Sequence, residues 1–160
     1  MTSIILSVLV LTPVLAGDSP WKEGAWWEYR DARGKSRKIV VGKPGKIKIE
    51  AKVVSALQTE WFGQDAFLIE QGHRVRIVAR NRENTLLADF RFLPAKVGPG
   101  MNVLTPRVED VRAGGRTYSC QRFEAGKVIF WVNRAVGVVK CVRLDGTWTL
   151  ARKGTTKRRN

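Results

Sequence analysis

Lys46-Ile47-Lys48-Ile49-Glu50-Ala51-Lys52-Val53 places apolar and charged side chains in strict alternation. A period of two belongs to an extended strand, whose successive side chains point to opposite faces. Read as one strand, the stretch has one packed face and one wet face, the habit of an antiparallel sheet. Arg74-Val75-Arg76-Ile77-Val78-Ala79-Arg80 repeats the rhythm with Arg on the outside. Outward from these, residues 25–30 and 36–41 flank Asp31-Ala32-Arg33-Gly34-Lys35, a polar loop with a Gly that suits a hairpin. Gly42-Lys43-Pro44-Gly45 reads as a turn, and further breaks fall at Gly63-Gln64-Asp65, Gln71-Gly72-His73, residues 94–100 and Gly114-Gly115. Strands therefore recur about every 8–12 residues, the spacing of a sandwich, a barrel or a strongly curved sheet. Helix signals are short: residues 53–62 are one candidate, and residues 84–90 read equally as a helical turn or a strand. The expectation is a mainly β chain with little helix and a single domain over residues 17–150. The basic tail 151–160 has no apolar period and is expected to be disordered.

The 160 residues suffice for one domain, and 44% apolar residues with six Trp place the chain in the globular class. Lys and Arg number 29 against 14 Asp and Glu, a net charge of +15, which speaks to partners rather than to fold. Residues 1–16 carry no charged side chain, and residues 4–15 are apolar except at Ser7, Thr12 and Pro13. Such a run falls short of the about 20 residues that span a bilayer and suits the apolar region of a secretory signal peptide. Val14-Leu15-Ala16 ends it with cleavage expected after Ala16, although Met1-Thr2-Ser3 lacks the usual Lys or Arg. The alternative is a buried N-terminal strand or helix. Asp18 stands where a lipidated Cys would follow Leu15-Ala16-Gly17, so the expected product is exported, periplasmic or extracellular, soluble, and without a transmembrane segment.

Residues 117–123, 128–132 and 138–144 read as a three-strand meander that sets Cys120 opposite Trp131 and Cys141 near Ile129. The two cysteines then lie on strands separated by a third, about 9–10 Å apart, whereas a disulfide needs Cα atoms within about 7 Å. Free thiols are expected ahead of a Cys120–Cys141 bridge, unless a bulge shifts the register. Only His73 could join them at a metal, so neither metal nor cofactor is expected.

His73 is the single histidine and follows Gln71-Gly72 at a turn, which removes the usual proton carrier of a hydrolytic triad. Glu109-Asp110 are adjacent and cannot share a strand face, and Gly98-Pro99-Gly100 lacks the Lys-Ser/Thr of a phosphate loop. These absences argue against an enzyme. Charge is the stronger signal. Residues 30–48 hold eight Lys/Arg against one Asp, with Arg33, Lys35, Arg37 and Lys38 as candidate polyanion contacts. Arg74, Arg76 and Arg80 form a second group. With interleaved aromatics the pattern resembles a nucleic-acid surface. Export disfavours nucleic acid and directs the reading to anionic lipid head groups or an acidic envelope polymer, against the plain alternative of a solvated positive face. Trp26 and Trp27 point to opposite faces of one strand. Together with Trp61, Phe90, Phe92 and Trp131 they are candidates either for the core or for an apolar groove.

The segment Trp21-Lys22-Glu23-Gly24-Ala25-Trp26-Trp27-Glu28-Tyr29-Arg30 resembles the opening of LolA/LolB-like exported half-barrels. So do Gly115-Arg116-Thr117-Tyr118-Ser119-Cys120, Phe130-Trp131-Val132-Asn133 and Val136-Gly137-Val138-Val139-Lys140, which are similar to their closing meander. The resemblance implies a curved antiparallel half-barrel or open barrel around a hydrophobic groove, with a lid, though no long apolar helix for the lid is visible. It implies an exported, non-enzymatic protein holding a lipid-like or apolar ligand on the concave face. The alternative is an envelope-associated module that binds anionic polymer or lipid head groups through its Lys/Arg surface.

Overall fold

The computed structural model describes residues 19–82, 84–92 and 107–157, so the expected signal peptide and the break at 94–100 lie outside the described residues. The elements are β1 (Ala25–Arg30), β2 (Ser36–Ile49), β3 (Lys52–Trp61), β4 (Gln64–Gln71), β5 (Arg74–Ala79) and β6 (Leu86–Arg91), then β7 (Val108–Ala113), β8 (Arg116–Ala125), β9 (Val128–Asn133), β10 (Gly137–Arg143) and β11 (Gly146–Thr155). All are antiparallel members of one sheet in the order β6-β5-β4-β3-β2-β1-β11-β10-β9-β8-β7. Two meanders are thus joined where β1 pairs with β11, and the sheet curls into a half-barrel with β6 and β7 at its edges. The described residues contain no helix. Residues 53–62, weighed as a helix, are β3 as far as Trp61 with Phe62 in the turn after it, and the ambiguous 84–90 contribute to β6.

The alternating stretch 46–53 is two strands rather than one. Glu50 and Ala51 form a two-residue turn, with φ of 48° and 64°, closing the ladder at Ile49↔Lys52. Ile49 and Lys52 consequently share a face, and Val53 is left 68% exposed beside Lys48. Conversely, Gly42-Lys43-Pro44-Gly45 is not a turn but the inside of β2. Val41 pairs with Thr59 and Pro44 with Leu57, three steps against two. That is a β-bulge, which takes one residue out of the ladder and tolerates a proline without N–H.

The bulge inverts the side-chain parity of β2. Ile39 and Val41 face the interior, and Ile47 and Ile49 beyond it face outward. There they pack with Ala56, Ile69 and Val78, supported by Val54 and Phe67, in a second small apolar cluster.

The interior is aromatic. Register places Trp27, Ile39, Trp61, Leu68, Ile77, Phe90, Phe130, Cys141 and Trp148 on the concave face. Trp61 lies 5.8 Å from Phe130, and Phe90 lies 5.0 Å from Phe130, edge to face. Burying each such side chain stabilises the fold by about 1.5–3 kcal/mol. Trp21 belongs to no strand, yet its ring is 3% exposed and sits against Trp27, Trp61 and Phe90. Two of the buried rings satisfy their polar tips across the sheet, whereas the Trp61 indole N–H has no partner among the described residues. The Trp27 indole donates to Val136 O at 2.6 Å and the Tyr29 hydroxyl to Val138 O at 2.9 Å. Gly137 lies under Trp27 with φ of 95°, where a Cβ would come within 3.2 Å of the indole nitrogen.

The tail expected to be disordered is strand as far as Thr155. Arg152 pairs with Glu28, Lys153 with Trp27 and Gly154 with Trp26. The partners come from β1, more than a hundred residues away, which is why no local period announces them. Glu28 accepts from Arg152 Nε at 2.8 Å and from Arg30, and the Arg152 bond above all holds its carboxyl below the usual range, against the pull of burial. Gly154 is required beneath Trp26, since a Cβ there would lie 2.6 Å from the ring.

The cysteine register also shifts. Gly126 and Lys127 form a tighter turn than expected, so Arg122, not Cys120, faces Trp131, and Cys141 faces Phe130 rather than Ile129. Cys141 shares the concave face with Phe130 and Phe123. Cys120, three residues from Phe123, points to the other side. Both are free and buried.

Candidate functional site

The apolar candidates do not form one open groove. Trp27, Trp61 and Phe90 are buried in the concave core, and Phe92 closes its margin against Phe123 at 5.5 Å. Trp26 lies on the convex face over Gly154. Trp131 points to the side of β9 opposite Phe130 and is buried there in the main core cluster with Cys120, Val111 and Ala113. It donates its indole N–H to Glu109 at 2.7 Å, with Lys140 4.7 Å and Arg122 5.8 Å from its ring. The concave face is filled by the protein's own side chains, with Trp21 laid across it from outside the ladder.

The basic candidates divide. Arg33, Lys35 and Arg37 line a cleft of about 650 Å³ with Arg30, Asp31, Asp145, Thr147, Trp148 and Thr149, whereas Lys38 is not in its wall. The β1·β11 ladder assembles this cleft by setting Arg30 beside Thr149, so that the β1–β2 and β10–β11 turns face each other.

One wall is the 31–35 loop. Asp31 Oδ1 accepts the backbone N–H of Arg33 at 2.9 Å and of Lys35 at 2.8 Å, so the loop's single carboxylate is spent on its own backbone. Among the described residues, neither the Arg33 nor the Lys35 side chain has an ion-pair partner.

The other wall is the β10–β11 turn. Asp145 accepts from the Trp148 indole at 3.1 Å and from Arg143 Nε at 3.3 Å. Burial works against its charge, but these donors hold its carboxyl below the usual range. Arg37 reaches Asp145 only at 3.8 Å and lies 5.6 Å from the centre of the Trp148 ring. The cleft therefore presents guanidinium and ammonium groups with incomplete local compensation, suited to the oxygens of carboxylate, sulfate or phosphate.

Arg74, Arg76 and Arg80 lie away from this cleft, on or just beyond β5. Arg74 forks onto Asp89 of β6, its Nε at 2.9 Å; that pair raises the Arg74 pKa and lowers that of Asp89, and the cation is locally neutralised. Arg80 is exposed in the turn after β5. Arg76 differs: its Nε is buried without a hydrogen-bond acceptor. The His73 ring meets the Arg134 guanidinium, and among the described residues no acid or nucleophile is hydrogen-bonded to it. Among the described residues no cluster of three or more His, Cys, Asp or Glu could hold a metal ion, and no helix is long and apolar enough to cross a membrane.

Asp145, Thr147, Trp148 and Thr149 were not among the sequence candidates, and nothing local distinguishes them. They reach the cleft only through the pairing of the first and last strands. The chain matches no protein-family model, no curated protein and no solved structure.

Proposed function

We propose that this is an exported, non-enzymatic binding protein that attaches to an acidic polymer of the cell envelope through the cleft between the β1–β2 and β10–β11 turns. The observation that carries the reading is the pairing pattern there: Arg33 and Lys35 line a cleft of about 650 Å³ and, among the described residues, have no carboxylate partner. The net charge of +15 supplies long-range attraction, and the apolar run at residues 4–15 supports export. Exposed charge contacts are individually worth about 0.2–1 kcal/mol, so binding draws on several at once, as a repeating polymer provides. An apolar ligand on the concave face has less support, because it would have to displace Trp21 from Trp27, Trp61 and Phe90.

The test is retention on immobilised polygalacturonate and polyphosphate across a salt series. Binding should collapse as salt rises through about 0.1–0.5 M, where screening shortens to well under 10 Å. The pair Arg33→Ala and Lys35→Ala should weaken binding roughly 5- to 30-fold, about 1–2 kcal/mol. The pair Lys43→Ala and Lys46→Ala, with the same change in charge, should cost much less. Equal losses from the two pairs, or retention indifferent to salt, would overturn the assignment.

A further inference from the structure

We infer that the convex face carries a second binding site, for a small carboxylate with a short aliphatic chain, between the tip of the β2–β3 hairpin and β5. Here the β2 bulge turns Ile49 outward, and the hairpin tip brings Val54 beside Ile69 of β4. With Arg76, Gln71 and Lys52 these residues line a cavity of about 200 Å³, with Glu50 also in its wall. That is space for roughly six or seven waters at about 30 Å³ each, comparable with a four- to six-carbon acid.

The polar feature is Arg76. Its Nε is buried without an acceptor. The carboxylate opposite it in the ladder, Asp89, is occupied by both Nε and an outer nitrogen of Arg74. A buried guanidinium N–H without an acceptor is costly, and a ligand oxygen at that position would relieve the cost. Glu50, the acid in the cavity wall, also acts on Arg74, whose pKa its charge helps to raise. A planar carboxylate matches one guanidinium edge, and Ile49, Val54 and Ile69 accept an alkyl tail. Phosphate would bring more charge and more oxygens than Arg76 and Lys52 can satisfy. The site is independent of the cleft, since the 14-residue β2 separates the two by roughly 40 Å of chain.

The probe is hexanoate, titrated into the full-length protein with the methyl resonances of Ile49, Val54 and Ile69 as readout. Hexanoate should shift them saturably with a dissociation constant in the low millimolar range or tighter, whereas hexanol and inorganic phosphate should not. Arg76→Met keeps the aliphatic stem without the charge and should weaken binding at least tenfold. Val54→Phe fills the cavity and should abolish binding with Arg76 intact, while the pair Arg33→Ala and Lys35→Ala should leave it unchanged. No saturable shift up to about 50 mM, equal binding of hexanol, or unaltered affinity in Arg76→Met would each overturn the inference.

Discussion

Replacing Trp21 by Ala tests whether a residue outside the sheet ladder is part of the core. A buried Trp removes about 150–250 Å² from water, which at about 25 cal/mol per Å² sets an upper limit near 4–6 kcal/mol. Part of that is recovered. Residues 19–21 make no ladder bonds and are tethered chiefly by Ser19 Oγ donating to Glu70 at 2.7 Å and by the Trp21 ring. Once the ring is gone the segment can leave the surface and regain about 1–2 kcal/mol of backbone entropy per residue. A net loss of about 3 kcal/mol is expected, a Tm lower by about 6–12 °C for a chain of this size. Urea unfolding followed by far-ultraviolet circular dichroism is the assay, because fluorescence would report the missing indole itself. A loss below about 1 kcal/mol would place the ring outside the core and leave Trp27, Trp61 and Phe90 covered by something else.

Two other perturbations test different layers of the structure. Glu50 and Ala51 occupy left-handed φ values in a two-residue turn that favours Asn-Gly. Glu50→Asn with Ala51→Gly should raise Tm by about 2–4 °C, a gain of about 1 kcal/mol; a fall in a thermal scan would contradict the turn geometry. Burial pushes the Cys120 thiol up to about 11 and the Cys141 thiol up to about 12 from an ordinary 9.0. The folded thiols thus keep their protons where unfolded ones lose them. Their stabilising effect is intact below about pH 9 and drains away as pH rises from 9 towards 12. At pH 8 a thiol-specific reagent should modify neither cysteine until the protein unfolds, and prompt labelling of either would refute this burial.

Strand content was legible because alternation is a local property. Where it misled, the cause was a device that leaves alternation intact. Glu50-Ala51 turns the chain without a Gly or Pro, and its two residues preserve the apolar-charged rhythm on either side. The β2 bulge did the reverse: Gly42 and Pro44 looked like punctuation but only invert the facing of one continuous strand. Pairing was less legible still. Composition counts Arg74 as a free cation, yet Asp89, fifteen residues later, neutralises it across β5 and β6. The same composition gave no sign that Asp31 is consumed by its own loop, which leaves Arg33 and Lys35 without a carboxylate among the described residues.

The two proposed sites draw on different parts of this architecture. The convex cavity is built from β2 through β5, neighbours in both sequence and sheet, and its decisive event is a single inserted residue in β2. The cleft needs β1 and β11, the first and last strands described, to lie side by side. Its register is fixed by contacts with nothing to do with anions: Gly154 beneath Trp26, Arg152 on Glu28, and the Tyr29 hydroxyl on Val138. A change in that junction would displace Asp145 and Trp148 relative to Arg33 and Lys35 without touching a residue that meets the polymer. The basic loop alone supplies charge. The strand pairing gives that charge a shape.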